Sequence, residues 1–253
     1  MSGHNKWSSI KHQKGAADAK RGQLFTKLTR EIIASAREGG ANPEGNFKLR
    51  LAIQKARDSN MPLDNIQRAL EKASGGGEGS SMVEMVLGGH APGGAAIIVQ
   101  ALTDNRNRTV QEIRNIFSRA GGNLGESSSV AWMFENRGII NVKTDGMNPD
   151  DLALQAIDAG ADDVKIETDS VEIYTAPDKL EAVRKALEGM KIPIERAQLS
   201  MLSKNNVPLD EKAALQTLKL LDKLEDLDEV QNVAANVDFS DEILEKYQSG
   251  VQV

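Results

Sequence analysis

"GIINVKTDGMNPDDLALQAIDAGADDVKIETDSVEIYT" (residues 138–175) decides the fold. The apolar, β-branched run at 139–144 reads as a strand, 150–159 as a helix and 163–168 as a second strand. Asp169-Ser170 marks a turn, and 171–175 a third strand. Downstream, 177–189 reads as a helix and 194–201 as a strand. The order β-α-β-β-α-β is the ferredoxin-like plan, and it closes with its own four strands.

That closure constrains what lies outside it. A helix near 209–225 and a strand near 230–237 follow, with no partner left in the closed series. Upstream, "MVEMVLGG" (82–89) and "AAIIVQALT" (95–103) read as strands joined by the hairpin "GGHAPGG". "NRTVQEIRNIFSRAGG" (107–122) reads as a helix with Val110, Ile113, Ile116 and Phe117 inward, and "SSVAWMF" (128–134) as a strand. The late helix and strand are therefore assigned to this upstream sheet. The domain is then discontinuous, 81–137 with 204–240, and 138–203 is inserted in it. The short acidic tail after Asp238 is expected to fray.

Further upstream the period is helical. Leu24, Leu28, Ile32 and Ala36 mark a helix over Ala19–Arg37; Phe47, Ala52, Ile53 and Ala56 mark one over Asn46–Asp58; Ile66, Ala69, Leu70 and Ala73 mark one over Leu63–Ala73. "GGANPEG" (39–45) and "NMP" (60–62) break them. "SGGGEGSS" (74–81) reads as a flexible linker. The expected fold is α+β with three domains. Residues 1–80 form a basic three-helix N-terminal domain plus linker, and two α/β domains of ferredoxin-like type follow, one inserted in the other.

Charge is distributed unevenly. The chain carries 31 Lys+Arg and 37 Asp+Glu, a net of −6, yet residues 1–72 hold 14 basic and 7 acidic residues, a net of +7, leaving −13 for the rest. A basic end on an acidic chain points to a polyanionic partner. "KWSSIKHQKGAADAKRG" (6–22) concentrates the pattern: Lys6, Lys11, Lys14, Lys20 and Arg21 surround Trp7, with Asp18 the single acid. Lysines neutralise phosphates with release of counterions, and an indole offers a stacking face to any base. The other reading of Trp7 is as an anchor packed on the helical core, with the lysines facing water.

In "TDNRNRT" (103–109), Asn105 or Asn107 could cap the following helix. Arg106 and Arg108 then sit at a helix N-terminus, either contacting an anion or bonded to nearby loops and the neighbouring domain. "GGHAPGG" could form an anion nest, but it lacks the Lys-Ser/Thr ending of a nucleotide loop, which argues against nucleoside triphosphate binding, and a tight turn is the preferred reading.

Other chemistries find no support. There is no cysteine, so disulfides, thiolate catalysis and Cys-based zinc sites are excluded. His4, His12 and His90 form no ligand pattern, and no nucleophile elbow, Rossmann fingerprint or His-Glu-x-x-His occurs. The acids of the C-terminal half read as solvated faces. No apolar run reaches a membrane span, and the charged N-terminus has no apolar core of a signal peptide. We therefore expect a non-enzymatic cytoplasmic protein with no cofactor, no metal, no small-molecule substrate and no membrane partner.

"GHNKWSSIKHQKGAADAKRGQLFTKLTREI" (3–32) resembles the opening of the YebC/PmpR family, to which mitochondrial translational activators of cytochrome oxidase also belong. "NMPLDNIQRAL" (60–70) and the stretch from "LTDNRNRT" are similar to later family signatures, so the resemblance spans nearly the whole chain. It implies a helical N-terminal domain, two α/β domains and a role in gene expression. Bacterial members are described as DNA-binding transcriptional regulators; others act on translation at the ribosome, and as such a factor this chain would meet ribosomal or transfer RNA through its arm. The chain departs from the pattern at Asn5 and Ser128, and at 87–94, where Leu87, Gly88 and His90 replace two tyrosines and an acid. The candidate nucleic-acid contacts are Lys6, Trp7, Lys11, His12, Lys14, Lys20, Arg21, Lys27, Arg30, Arg106 and Arg108. No Asn/Gln/Arg triplet marks a base-reading face, which favours backbone contact over sequence readout.

Overall fold

The structure, a computed structural model, describes residues 18–74, 82–167 and 169–250. Most of the expected linker and the start of the basic arm lie outside them. Three helices come first: α1 (Asp18–Gly39), α2 (Phe47–Asp58) and α3 (Leu63–Ser74). Leu28, Ile32, Ile33 and Ala36 of α1 meet Leu49, Ala52, Ile53 and Ala56 of α2 and Ile66 and Ala69 of α3 in one core. Buried Asn46 joins the first two helices. Its Oδ1 accepts from Leu49 N–H at 3.1 Å, capping α2, while its Nδ2 donates to the carbonyls of Ser35 and Gly40 at 2.7 and 2.8 Å. A Cβ on Gly39 would lie 2.7 Å from that amide, so only glycine leaves it room.

The chain continues through β1 (Val83–His90), β2 (Ala96–Thr103), α4 (Arg106–Arg119), β3 (Asn123–Gly125) and α5 (Ser128–Ala131). Then come β4 (Phe134–Lys143), α6 (Pro149–Asp158), β5 (Asp163–Ile166), β6 (Ser170–Thr175), α7 (Leu180–Gly189) and β7 (Ile194–Ser203). Last are α8 (Glu211–Glu225), β8 (Val230–Ala235) and α9 (Asp241–Gln248). Residues 136–202 form one compact unit and the rest of the chain another.

In the unit 136–202 the sheet order is β5-β6-β4-β7. β6 runs antiparallel to both β4 and β5, with Ile140 opposite Ile173 and Val142 opposite Val171. These four fall on one face by the two-residue period of the pleat. Leu152 and Ala156 of α6 and Leu180, Val183 and Leu187 of α7 supply the buried helical positions.

In the other unit the order is β3-β1-β2-β8. β1 pairs antiparallel with both β2 and β3, so β2-α4-β3 straddles it as a split β-α-β unit. β8 returns to the free edge of β2, with Ile97 opposite Ala235 and Val99 opposite Val233. Ile97, Val99, Ile113, Phe117, Leu218, Leu221 and Val233 build its core. "GGHAPGG" is a closed hairpin loop. Ala91 N–H bonds Ala95 C=O at 2.8 Å, Gly94 N–H bonds Ala91 C=O at 3.1 Å, and Gly93, at φ 82°, lies under Leu209 and Ala213.

Three elements differ from the sequence reading. β3, three residues long, is absent from it. "SSVAWMF" is a helical turn, α5, with β4 starting only at Phe134. Ser129 donates through both its N–H and its hydroxyl to the Glu126 carbonyl, and Ala131 N–H reaches Ser127 C=O, so local bonds replace the ladder. Val130 then plugs the strand at Gly88, where a Cβ would lie 2.4 Å from its Cγ2. The acidic tail does not fray but forms α9. Ser240 caps it, Phe239 and Leu244 are buried, and the Tyr247 hydroxyl donates to Asp222 of α8. An acidic outer face concealed an apolar inner one.

Candidate nucleic-acid interface

The expected contacts fall into three groups. Lys6, Trp7, Lys11, His12 and Lys14 lie outside the described residues, as does the side chain of Lys20. Arg21 and Arg106 are exposed, and neither has a hydrogen bond or ion pair among the described residues. Lys27, Arg30 and Arg108 are engaged with other parts of the same chain.

Those engagements form a seam between α1 and the turn joining α8 to β8. Lys27 Nζ donates to the carbonyl of Glu225, the last residue of α8. A cation there satisfies a carbonyl that the helix leaves open and complements its dipole. One turn further along α1, Arg30 Nη1 lies 3.3 Å from Glu229 Oε1. Arg108 approaches the same oxygen from α4 at 3.4 Å, and its Nη2 also meets Asp104 Oδ1 at 2.8 Å. Arg108 is set there by Asn105, whose side chain accepts from Arg108 N–H at 3.1 Å and caps α4. Thr103 Oγ1 accepts from Asn105 N–H and from the Thr109 hydroxyl, fixing the approach to the cap.

Glu229 was not among the residues expected at the site. Its position in the acidic run 225–229 is plain in the sequence, but its partnership with Arg30, 199 residues away, has no local signal. A second set of cations lies on the helical region. Arg57, Arg68 and Lys72 are exposed, with no side-chain ion pair or hydrogen bond among the described residues. Lys48 and Lys55 are instead paired, with Glu38 and Glu31 respectively, each at 2.8 Å. The pairing with Glu38 holds Lys48 above the usual lysine range against the opposing effect of burial. Among the described residues, Arg21, Arg57, Arg68, Lys72 and Arg106 are therefore the exposed cations here with no side-chain ion pair or hydrogen bond.

The chain matches known proteins over most of its length. The TACO1/YebC protein N-terminal domain matches residues 5–76, and the TACO1/YebC second and third domain matches residues 82–237. The chain belongs to the TACO1/YebC family. It is 57% identical to a "Probable transcriptional regulatory protein" of Dehalococcoides mccartyi, over 98% of this chain and 99% of that one. It is 49% identical to a "Probable transcriptional regulatory protein" of Herpetosiphon aurantiacus over 98% of each. The crystal structure of a conserved hypothetical protein, Aq1575 of Aquifex aeolicus, superposes with a TM-score of 0.85 at 46% identity, covering 93% of this chain and 97% of that one. This TACO1/YebC chain thus shares both the N-terminal and the paired α/β parts of its family. Among its described residues no helix is long and apolar enough to cross a membrane, and no group of three or more His, Asp or Glu could hold a metal ion.

Proposed function

We propose that this TACO1/YebC protein is a non-enzymatic, DNA-binding regulator of transcription that holds the phosphate backbone through its N-terminal region. The supporting observation is the charge division, +7 over residues 1–72 against −13 over the remainder. Arg21, Arg57, Arg68 and Lys72, exposed and without a side-chain partner among the described residues, carry it onto the surface of the helical region. The basic arm, Lys6 to Arg21, is the main contact, with Trp7 available to stack. Backbone contact rather than base readout is its mode, because these cations are dispersed.

Binding to duplex DNA, single-stranded RNA and purified ribosomes, each titrated over a range of salt, tests this reading. If about four arm cations meet phosphates, the slope of log affinity against log salt is on the order of −3 to −4. Replacing Lys11, Lys14, Lys20 and Arg21 with glutamate abolishes binding and leaves the helical circular dichroism in place. Preference for ribosomes over duplex DNA would favour a translation factor contacting ribosomal or transfer RNA. Unchanged binding of the charge-reversed protein to all three would refute the arm as the contact.

A further inference from the structure

Arg30 and Arg108 come from elements distant in sequence and converge on one carboxylate oxygen. Their side chains are 22% and 51% exposed, while Glu229 is 12% exposed. The two separations, 3.3 and 3.4 Å, are long for charge-assisted hydrogen bonds, which run to roughly 2.7–2.9 Å when well made. Each guanidinium presents a planar fork of N–H donors, and a single shared oxygen cannot satisfy either fork bidentately. A phosphodiester carries two free oxygens in tetrahedral array and can serve both. Glu229 thus occupies the position of an anion between two arginines. Lys27 lies one turn away on α1, and exposed Arg106 lies beside the α4 cap.

The surroundings select the ligand. Asp104 also holds Arg108, and Asp226 and Asp228 belong to the same turn as Glu229. A single inorganic phosphate gains too little there to displace the carboxylate against these acids. A strand of linked phosphates, already held by cations elsewhere, brings its charge at high local concentration. We propose that Arg30 and Arg108 form a phosphodiester site that Glu229 fills in the free protein, and that a bound nucleic-acid strand exchanges a backbone phosphate for this carboxylate. The nucleic-acid part of this inference rests on the function proposed above; the anion site itself rests on the arginine geometry.

The test uses the full chain and three probes: a duplex DNA, a single-stranded RNA and long-chain inorganic polyphosphate. Glu229→Gln is expected to bind polyphosphate and whichever nucleic acid the original protein binds about 3–10-fold more tightly at a similar salt slope, since the same phosphates are met without displacing a carboxylate. Glu195→Gln makes the same change of net charge at an exposed pair with Lys143, in the unit 136–202, and leaves affinity unchanged. Adding Arg30→Gln to Glu229→Gln removes the increase. If Glu229→Gln binds polyphosphate no better than the original protein, Glu229 only stitches the fold and the site is overturned, even where DNA or RNA still binds. Tighter polyphosphate binding with no binding of either nucleic acid keeps the site and removes the nucleic-acid reading. Failure of both proteins on all three probes overturns both. Should Glu229→Gln not fold, Arg30→Gln and Arg108→Gln replace it. Each then flattens the polyphosphate salt slope by about 0.7–0.9, and an unchanged slope rejects the proposal.

Discussion

Single atoms decide several features of this chain. Gly88 lies inside β1, where a side chain would normally strengthen a strand, but Val130 occupies the space that its Cβ would need. Gly88→Ala should therefore lower stability by about 1–3 kcal/mol in denaturant titrations, because the hairpin and α5 cannot both keep their places. Val130→Ala in the same chain should recover part of that loss, a coupling that separates collision from strand propensity. The residue scale also shows what local chemistry makes legible. The Asn105 cap is readable because an asparagine three positions before its donor is a local motif. The meeting of Arg30 with Glu229 is not, because it depends on two elements packed by the whole fold.

Elements were legible where burial has a period. The strands and helices of 136–202 alternate apolar and polar residues with the spacing of their own geometry, so their order could be read directly. α5 and α9 escaped for different reasons. Serine hydroxyls redirected one stretch into a turn, and α9 owes its existence to contacts with α8 that an acidic local composition hides. Leu244→Ala should cost about 2–5 kcal/mol, measured by chemical denaturation, since its side chain is buried in the core formed with α8. A freely fraying tail would give no measurable change. On α7, burial pushes the Glu181 carboxyl up, but the hydrogen bonds and charges of Arg184 and Lys185 outweigh it and hold it below the usual carboxylate range. A carboxylate so lowered stabilises the fold at pH values above its unfolded pKa. That contribution is lost as pH falls through the folded value. Arg184→Gln should thus destabilise the protein at neutral pH, and the difference from the original should shrink as the pH drops below about 4. A gap that stays constant down to acid pH would assign the loss to packing.

At the scale of the whole molecule, the charge division and the compact unit 136–202 are separate features with separate tests. The sheet β5-β6-β4-β7 has a complete set of partners within 136–202 and its own buried helical faces. A fragment of residues 136–203 is therefore expected to show a cooperative thermal transition by circular dichroism. A non-cooperative, coil-like spectrum would mean that the unit borrows stability from elsewhere. The polyanion contacts, by contrast, are proposed in the part of the chain whose charge could be counted in the sequence. Its geometry could not, since Lys27, Arg30 and Arg108 are committed inside the molecule while Arg57, Arg68 and Lys72 are not.

The pairing of β2 with β8 has a consequence for the protein's birth. Ile97 must wait for Ala235 before its outer edge is closed, and the intervening segment leaves the ribosome first. A unit 136–202 that folds on its own, as expected above, does so while β2 is still an open edge, and open edges recruit stray strands. Its completion would then bring the two ends of the gap together. Across that gap Lys204 N–H bonds Met133 C=O at 2.9 Å, and Lys204 Nζ donates to Trp132 C=O at 3.0 Å. The folding of residues 136–202 is thus expected to set how long β2 stays open. Slowing that folding should lengthen the exposure of β2 and raise the fraction of newly made chains lost to aggregation, with little change in the stability of those that finish.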